Sequence, residues 1–206
     1  MDWRGRYEQA AARYAAGETR EPDERQLVQL GNAAWAAGLS LLMDGDEAGA
    51  AEWLRRSAAR YRESWDAGAP PDAWGRPIAA MKALLIAGED ARAAAHWALE
   101  AGAGSSESPI GSYAAALALL VLDNEEMAVR HAARLQRAGA FPRDVADALA
   151  AIASGDRDAY AEAVGRVRRS FETRDAFLED LPVPDTALAL DALAARRGLG
   201  ERLAAH

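Results

Sequence analysis

Cysteine is absent from the 206-residue chain. That removes disulfides, thiolate metal sites and cysteine nucleophiles together. It also suits a cytoplasmic protein better than a small secreted fold, which usually needs disulfides. Valine, isoleucine and threonine are scarce, leaving little material for a buried sheet. Lysine occurs once, at Lys82, and every other basic side chain apart from three histidines is arginine. No apolar run reaches membrane-spanning length: the longest, roughly 110–122, is interrupted by Gly111 and Ser112 and reads as a buried helix. The opening residues Met1-Asp2-Trp3-Arg4 carry charge where a signal peptide would be apolar.

Catalytic signatures are missing as well. His96, His131 and His206 have no partners at ligand spacing, so the expectation is no metal and no cofactor. No Walker or Rossmann glycine pattern occurs, and Gly104-Ser105-Ser106 has no strand leading into it, as a nucleophile elbow would require. The carboxylate pairs Glu125-Glu126 and Glu179-Asp180 are adjacent in sequence, and adjacent helical side chains diverge. The reading is a non-enzyme. The formal net charge of −8 is shared evenly by the two halves, which argues against nucleic acid as partner.

What the chain has is alanine, 53 residues of it, and alanine is the best helix former. The prediction is an all-α protein, one helical-repeat domain over 1–206, built as about ten helices in antiparallel hairpins. Caps mark the helices. Asp2 can cap the first, which stops at Gly17; Asp44-Gly45-Asp46 ends one helix and caps the next. Gly88-Glu89-Asp90, Asp123-Asn124-Glu125 and Ser154-Gly155-Asp156 repeat that punctuation between alanine-rich runs, with connections short enough only for hairpins. Ser108-Pro109 and Phe141-Pro142 restart helices. A last helix is predicted over 187–197, ended by Gly198. The markers are irregularly spaced, as in a degenerate helical array.

The hairpin turning at Gly45 resembles a tetratricopeptide unit, with Gly38 and Ala50 at its small positions and Leu41 and Leu54 at its large ones. That likeness implies an irregular α-α superhelix and a close helix contact at Gly38. The second half, roughly 110–200, carries Tyr113-Ala114-Ala115-Ala116-Leu117-Ala118-Leu119-Leu120, then Ala151-Ile152-Ala153-Ser154-Gly155-Asp156. A long helix through Ser170-Phe171-Glu172-Thr173 and the closing Ala187–Ala194 helix follow. This order resembles the all-α immunity proteins of bacterial polymorphic-toxin systems, particularly the family called immunity protein 49. The resemblance implies a cytoplasmic protein that binds a cognate toxin domain. A tetratricopeptide-like adaptor for a peptide or client protein is the alternative, and a small-molecule enzyme on helical hairpins is a third class.

Two features are candidates for partner contact. All six tryptophans lie in the first half, where they either fill gaps between alanine-rich helices or, at Trp74 beside Arg76 in the loop-like 72–77 stretch, stand exposed as an anchor. The polar run 166–180, with Arg169, Glu172 and Arg174, reads either as a solvated helix face with intrahelical ion pairs or as a binding ridge. Arg55, Arg56, Arg60 and Arg62 present the same choice.

Overall fold

A computed structural model describes residues 1–18 and 21–200. Ten α-helices and two short 3-10 turns make up its regular structure, with no strand among the described residues. In chain order these are α1 (Trp3–Gly17), α2 (Glu24–Asp44), α3 (Glu47–Asp66), α4 (Gly75–Ala87) and α5 (Arg92–Glu100). They continue as α6 (Pro109–Val121), α7 (Glu125–Arg137), α8 (Arg143–Ser154), α9 (Arg157–Glu172) and α10 (Asp185–Arg196). His206 lies outside the described residues.

The caps act where the sequence places them. Asp2, Asp46, Asn124 and Asp156 each accept a backbone N–H from the first turn of their helix. Asp23 and Gln26 form a reciprocal capping box at the start of α2. Gly45, Gly88 and Gly155 end α2, α4 and α8 in the left-handed conformation, which lets two trailing carbonyls be satisfied at each turn.

The α2–α3 hairpin depends on small residues. A Cβ on Gly38 would sit 2.7 Å from Leu54 Cγ and 3.2 Å from the Ala50 carbonyl oxygen. Two turns earlier, a Cβ on Gly31 would sit 3.0 Å from the Tyr61 ring. Gly31 meets Tyr61 and Gly38 meets Leu54, so the two helices run antiparallel in a fixed register. Polar groups confirm it: Ser57 Oγ donates to the Gly31 carbonyl at 2.9 Å, and the Tyr61 hydroxyl bonds Asn32 Oδ1 at 2.6 Å.

Successive helices then pack pairwise, and α4, α6 and α8 also touch one another as an inner row. Within that row α6 is buried from Gly111 to Val121, which explains its nearly uninterrupted apolar sequence. The last helix does not extend the row. α10 folds back across α4, α8 and α9, burying Ala187, Leu190, Leu193 and Ala194. Ties fasten both its ends. Lys82 of α4 donates to Asp185 at 2.8 Å and to Thr186 at 3.1 Å. Arg197 reaches the Leu120 carbonyl at 2.6 Å and the carboxylates of Asp123 and Glu125. One buried apolar cluster runs from Ala10 to Leu199 through all of these helices.

Two outcomes test this packing. Gly38→Ala gains helix propensity but forces a Cβ into Leu54, and the crowding prevails: unfolding should show a net loss of about 1–3 kcal/mol. Gly165→Ala, whose Cβ would meet only the Arg169 side chain at 3.5 Å, should instead stabilise by about 0.5–1 kcal/mol. Similar effects at the two glycines would contradict the tight α2–α3 contact.

His131 on α7 supplies a pH-dependent term. It is buried, its Nδ1 has no hydrogen-bond partner, and burial together with nearby Arg134 pushes its pKa below the ordinary 6.5. The unfolded chain therefore binds the proton more readily than the folded one. The stability it confers is full above about pH 6.5 and declines as pH falls toward the depressed folded value. Thermal melts between pH 7.5 and 5.5, a span of roughly one unit either side of the ordinary histidine pKa, should show a smaller decline for His131→Leu than for the wild type. Parallel declines would rule this contribution out.

Candidate functional site

The polar run 166–180 does not continue as one helix. α9 stops at Glu172, and residues 173–184 cross back as an irregular strap that carries a single 3-10 turn at Leu178–Asp180. Arg166 and Arg168 are committed to packing. Arg166 pairs with Glu162 on its own helix and with Asp144 and Asp147 on α8, while Arg168 bonds Asp191 of α10 at 2.6 Å. Most of these bonds run between helices, which corrects the expectation of a face held by intrahelical pairs. Asp191 is buried and also accepts the Tyr160 hydroxyl at 2.6 Å. Burial first, and then that carboxylate, push the Tyr160 phenol well above its usual range.

Past that anchor several charged side chains are uncommitted. Arg169, Glu172 and Asp175 are exposed, and none of them forms an ion pair among the described residues. Among the described residues Arg174 has no carboxylate partner; its guanidinium lies 4.0 Å from the centroid of the Phe171 ring and bonds Ser170 Oγ at 3.3 Å. Phe177 packs beside Phe171 with ring centroids 6.3 Å apart. Leu178 follows, 51% exposed. Glu179 and Asp180 both have left-handed backbones, at φ 57° and 54°, a conformation costly for side chains with a Cβ. Two arginines of α1 hold them there: Arg13 pairs with Glu179 at 2.5 Å, and Arg6 donates to the Asp180 carbonyl at 2.9 Å.

The other predicted anchor is not on the surface. Trp74 is buried at the start of α4, its ring 6.2 Å from Trp65, which in turn meets Trp97 edge-on at 5.6 Å. The 72–77 stretch turns inward, and its indole joins the buried apolar cluster beside the tryptophans of α3 and α5. Arg76 is half-buried, with its guanidinium paired to Glu24 of α2 and its pKa lowered by burial. Trp74 and Arg76 therefore join helices, far from any role as an exposed anchor. Arg55, Arg56, Arg60 and Arg62 are likewise all engaged in ion pairs.

Of the five residues singled out from sequence, Arg169, Glu172 and Arg174 are all exposed at the end of α9 and the start of the strap, and Trp74 and Arg76 lie elsewhere, packed between helices. The sequence reading missed Leu178 and the tethers Arg6 and Arg13, because a loop that folds back onto α1 leaves no periodic signal. Among the described residues no cluster of histidine and carboxylate side chains could hold a metal ion, and no helix is long and apolar enough to cross a membrane. Compared with protein-family models, curated proteins and solved structures, the chain matches none.

Asp191 fixes α9, and with it this ridge, against α10. Asp191→Ala leaves Tyr160 and Arg168 without their acceptor. Unfolding should show a loss of about 2–3 kcal/mol, below the roughly 3–5 kcal/mol of a fully buried pair, because Arg168 is one-third exposed. A loss under about 0.5 kcal/mol, the level typical of surface substitutions, would mean that the carboxylate is dispensable.

Proposed function

We propose that this chain is a non-catalytic protein-binding module, and specifically a cytoplasmic immunity protein that neutralises a cognate toxin domain. The observation that carries the reading is the ridge formed by the end of α9 and the strap. Most arginines of the chain are committed to ion pairs or helix-end carbonyls. Here Arg169, Glu172, Arg174 and Asp175 are exposed and, among the described residues, lack ionic partners, and the exposed Leu178 follows a few residues later. Uncommitted arginine beside exposed apolar surface is the composition of a protein interface.

The order of helices that resembles immunity protein 49 supports the toxin as partner, and the acidic balance suits steering toward a basic one. The adaptor reading fits less well. A helical-hairpin array holds an extended peptide on its inner face, and here α10 already lies across α4 and α8 on that face.

The test is co-expression with the protein encoded beside this chain's gene. Growth should be rescued and a one-to-one complex recovered. Arg169→Ala and Leu178→Asp should each weaken that complex by about 1–2 kcal/mol, roughly 5- to 30-fold, with unchanged melting temperature. Association should slow as salt rises, because screening shortens the reach of surface charge. Trp74→Ala and Leu120→Ala should act through stability, at about 3–5 and 2–5 kcal/mol respectively. A neighbour that neither binds nor kills, or a complex indifferent to both ridge variants, would overturn the proposal.

A further inference from the structure

Beneath the strap lies a cavity of about 300 Å³, at the small end of the roughly 300–1,000 Å³ typical of small-molecule sites. Trp35 and Leu39 of α2 and Phe171 of α9 line it, and the strap contributes Ala176, Phe177 and Leu178. Aromatic and aliphatic side chains thus form one part of the lining. Its polar groups are Lys82, Asp185 and Thr186, which bond one another, and Arg174 of the strap.

The charges there do not balance. Lys82 and Arg174 bring two positive charges, and Asp185 brings one negative. Lys82 is the single lysine of the chain, its side chain is only 11% exposed, and its ammonium lies 5.5 Å from the centroid of the Trp35 ring. An ammonium has three donors; two are used, on Asp185 and Thr186, and among the described residues no third acceptor bonds it. The Arg174 guanidinium has a hydroxyl for partner where a carboxylate would fit. In a protein of net charge −8, this pocket holds a local excess of positive charge around unused donors.

We propose that the cavity under the strap binds a small monocarboxylate with an apolar body. The carboxylate accepts from the free Lys82 donor and from Arg174, completing the charge balance. The body packs against Trp35, Leu39, Phe171 and Phe177. Asp185 and Thr186, at the first turn of α10, hold Lys82 in position for this contact. Arg174 and Leu178 belong both to this cavity and to the exposed stretch after α9, and titration of the protein alone reads the cavity without a toxin present.

Two acids and their uncharged counterparts provide the test: octanoate against octanol for an aliphatic body, indole-3-acetate against indole-3-acetamide for an aromatic one. Calorimetric titration with saturation-transfer NMR should find one acid bound per chain. Its counterpart should bind about tenfold more weakly or worse, the effect of losing a charge-assisted hydrogen bond. Arg174→Gln should weaken the acid by about fivefold, and Ala176→Trp, which fills the cavity from its mouth, should abolish binding. Both positions are exposed, so melting temperature should stay unchanged. Lys82→Met should also abolish binding; because it cuts the tie to Asp185, the two strap variants keep the test decisive if that protein melts early. The proposal is overturned if neither acid saturates below about 5 mM, if acid and counterpart bind alike, or if Ala176→Trp binds as the wild type does.

Discussion

The return of α10 across the inner helices, locked by the buried carboxylate of Asp191, is the constraint on which the other features rest. A buried carboxylate is costly unless its oxygens are paired. Asp191 meets this with one acceptor oxygen for Tyr160 and the other for Arg168, both from α9. That arrangement leaves α10 little freedom to slide or rotate against α9. With α10 fixed, Asp185 and Thr186 hold Lys82, and Arg197 caps the carbonyl end of α6. The strap, tied to α9 on one side and α10 on the other, has both ends defined.

Arginine does most of the joining between helices. Its planar fork offers five donors, enough to satisfy a carboxylate and a helix-end carbonyl together. Arg60 ties α3 to Tyr14 and Glu18 at the end of α1, Arg92 reaches Asp123, Arg196 takes the Glu89 carbonyl, and Arg143 takes that of Gln136. Alanine-rich helices approach closely but leave few apolar side chains long enough to specify register. Polar ties between turns supply that specification. The arginines left without such work stand out for that reason, and Arg169 and Arg174 do so on the same short stretch.

The strap connects the two proposed roles through shared residues. Arg174 and Leu178 are exposed and also line the cavity, whereas Leu181 and Val183 are buried beside it. Its strained turn at Glu179 and Asp180 persists because Arg6 and Arg13 of α1 over-determine it. The first helix of the chain thus shapes a segment that lies far along the sequence, next to the last helix.

The sequence by itself determined the helices and their ends. Asp2, Asp46, Asn124 and Asp156 at the starts, and Gly45, Gly88 and Gly155 at the stops, act through hydrogen bonds a few residues long, so local chemistry is enough to read them. Gly38 was legible through the tetratricopeptide likeness of its hairpin, which sets small residues where two helices meet. Only the tertiary structure decided that Trp74 is buried, that 173–184 leaves the helix, and that Lys82 faces Asp185 across the chain. Burial of Trp74 depends on where Trp65 and Trp97 of other helices come to lie. The path of the strap depends on arginines of α1, and the pairing of Lys82 on where α10 lands. None of these leaves a periodic mark, because each is set by contacts between residues far apart in sequence.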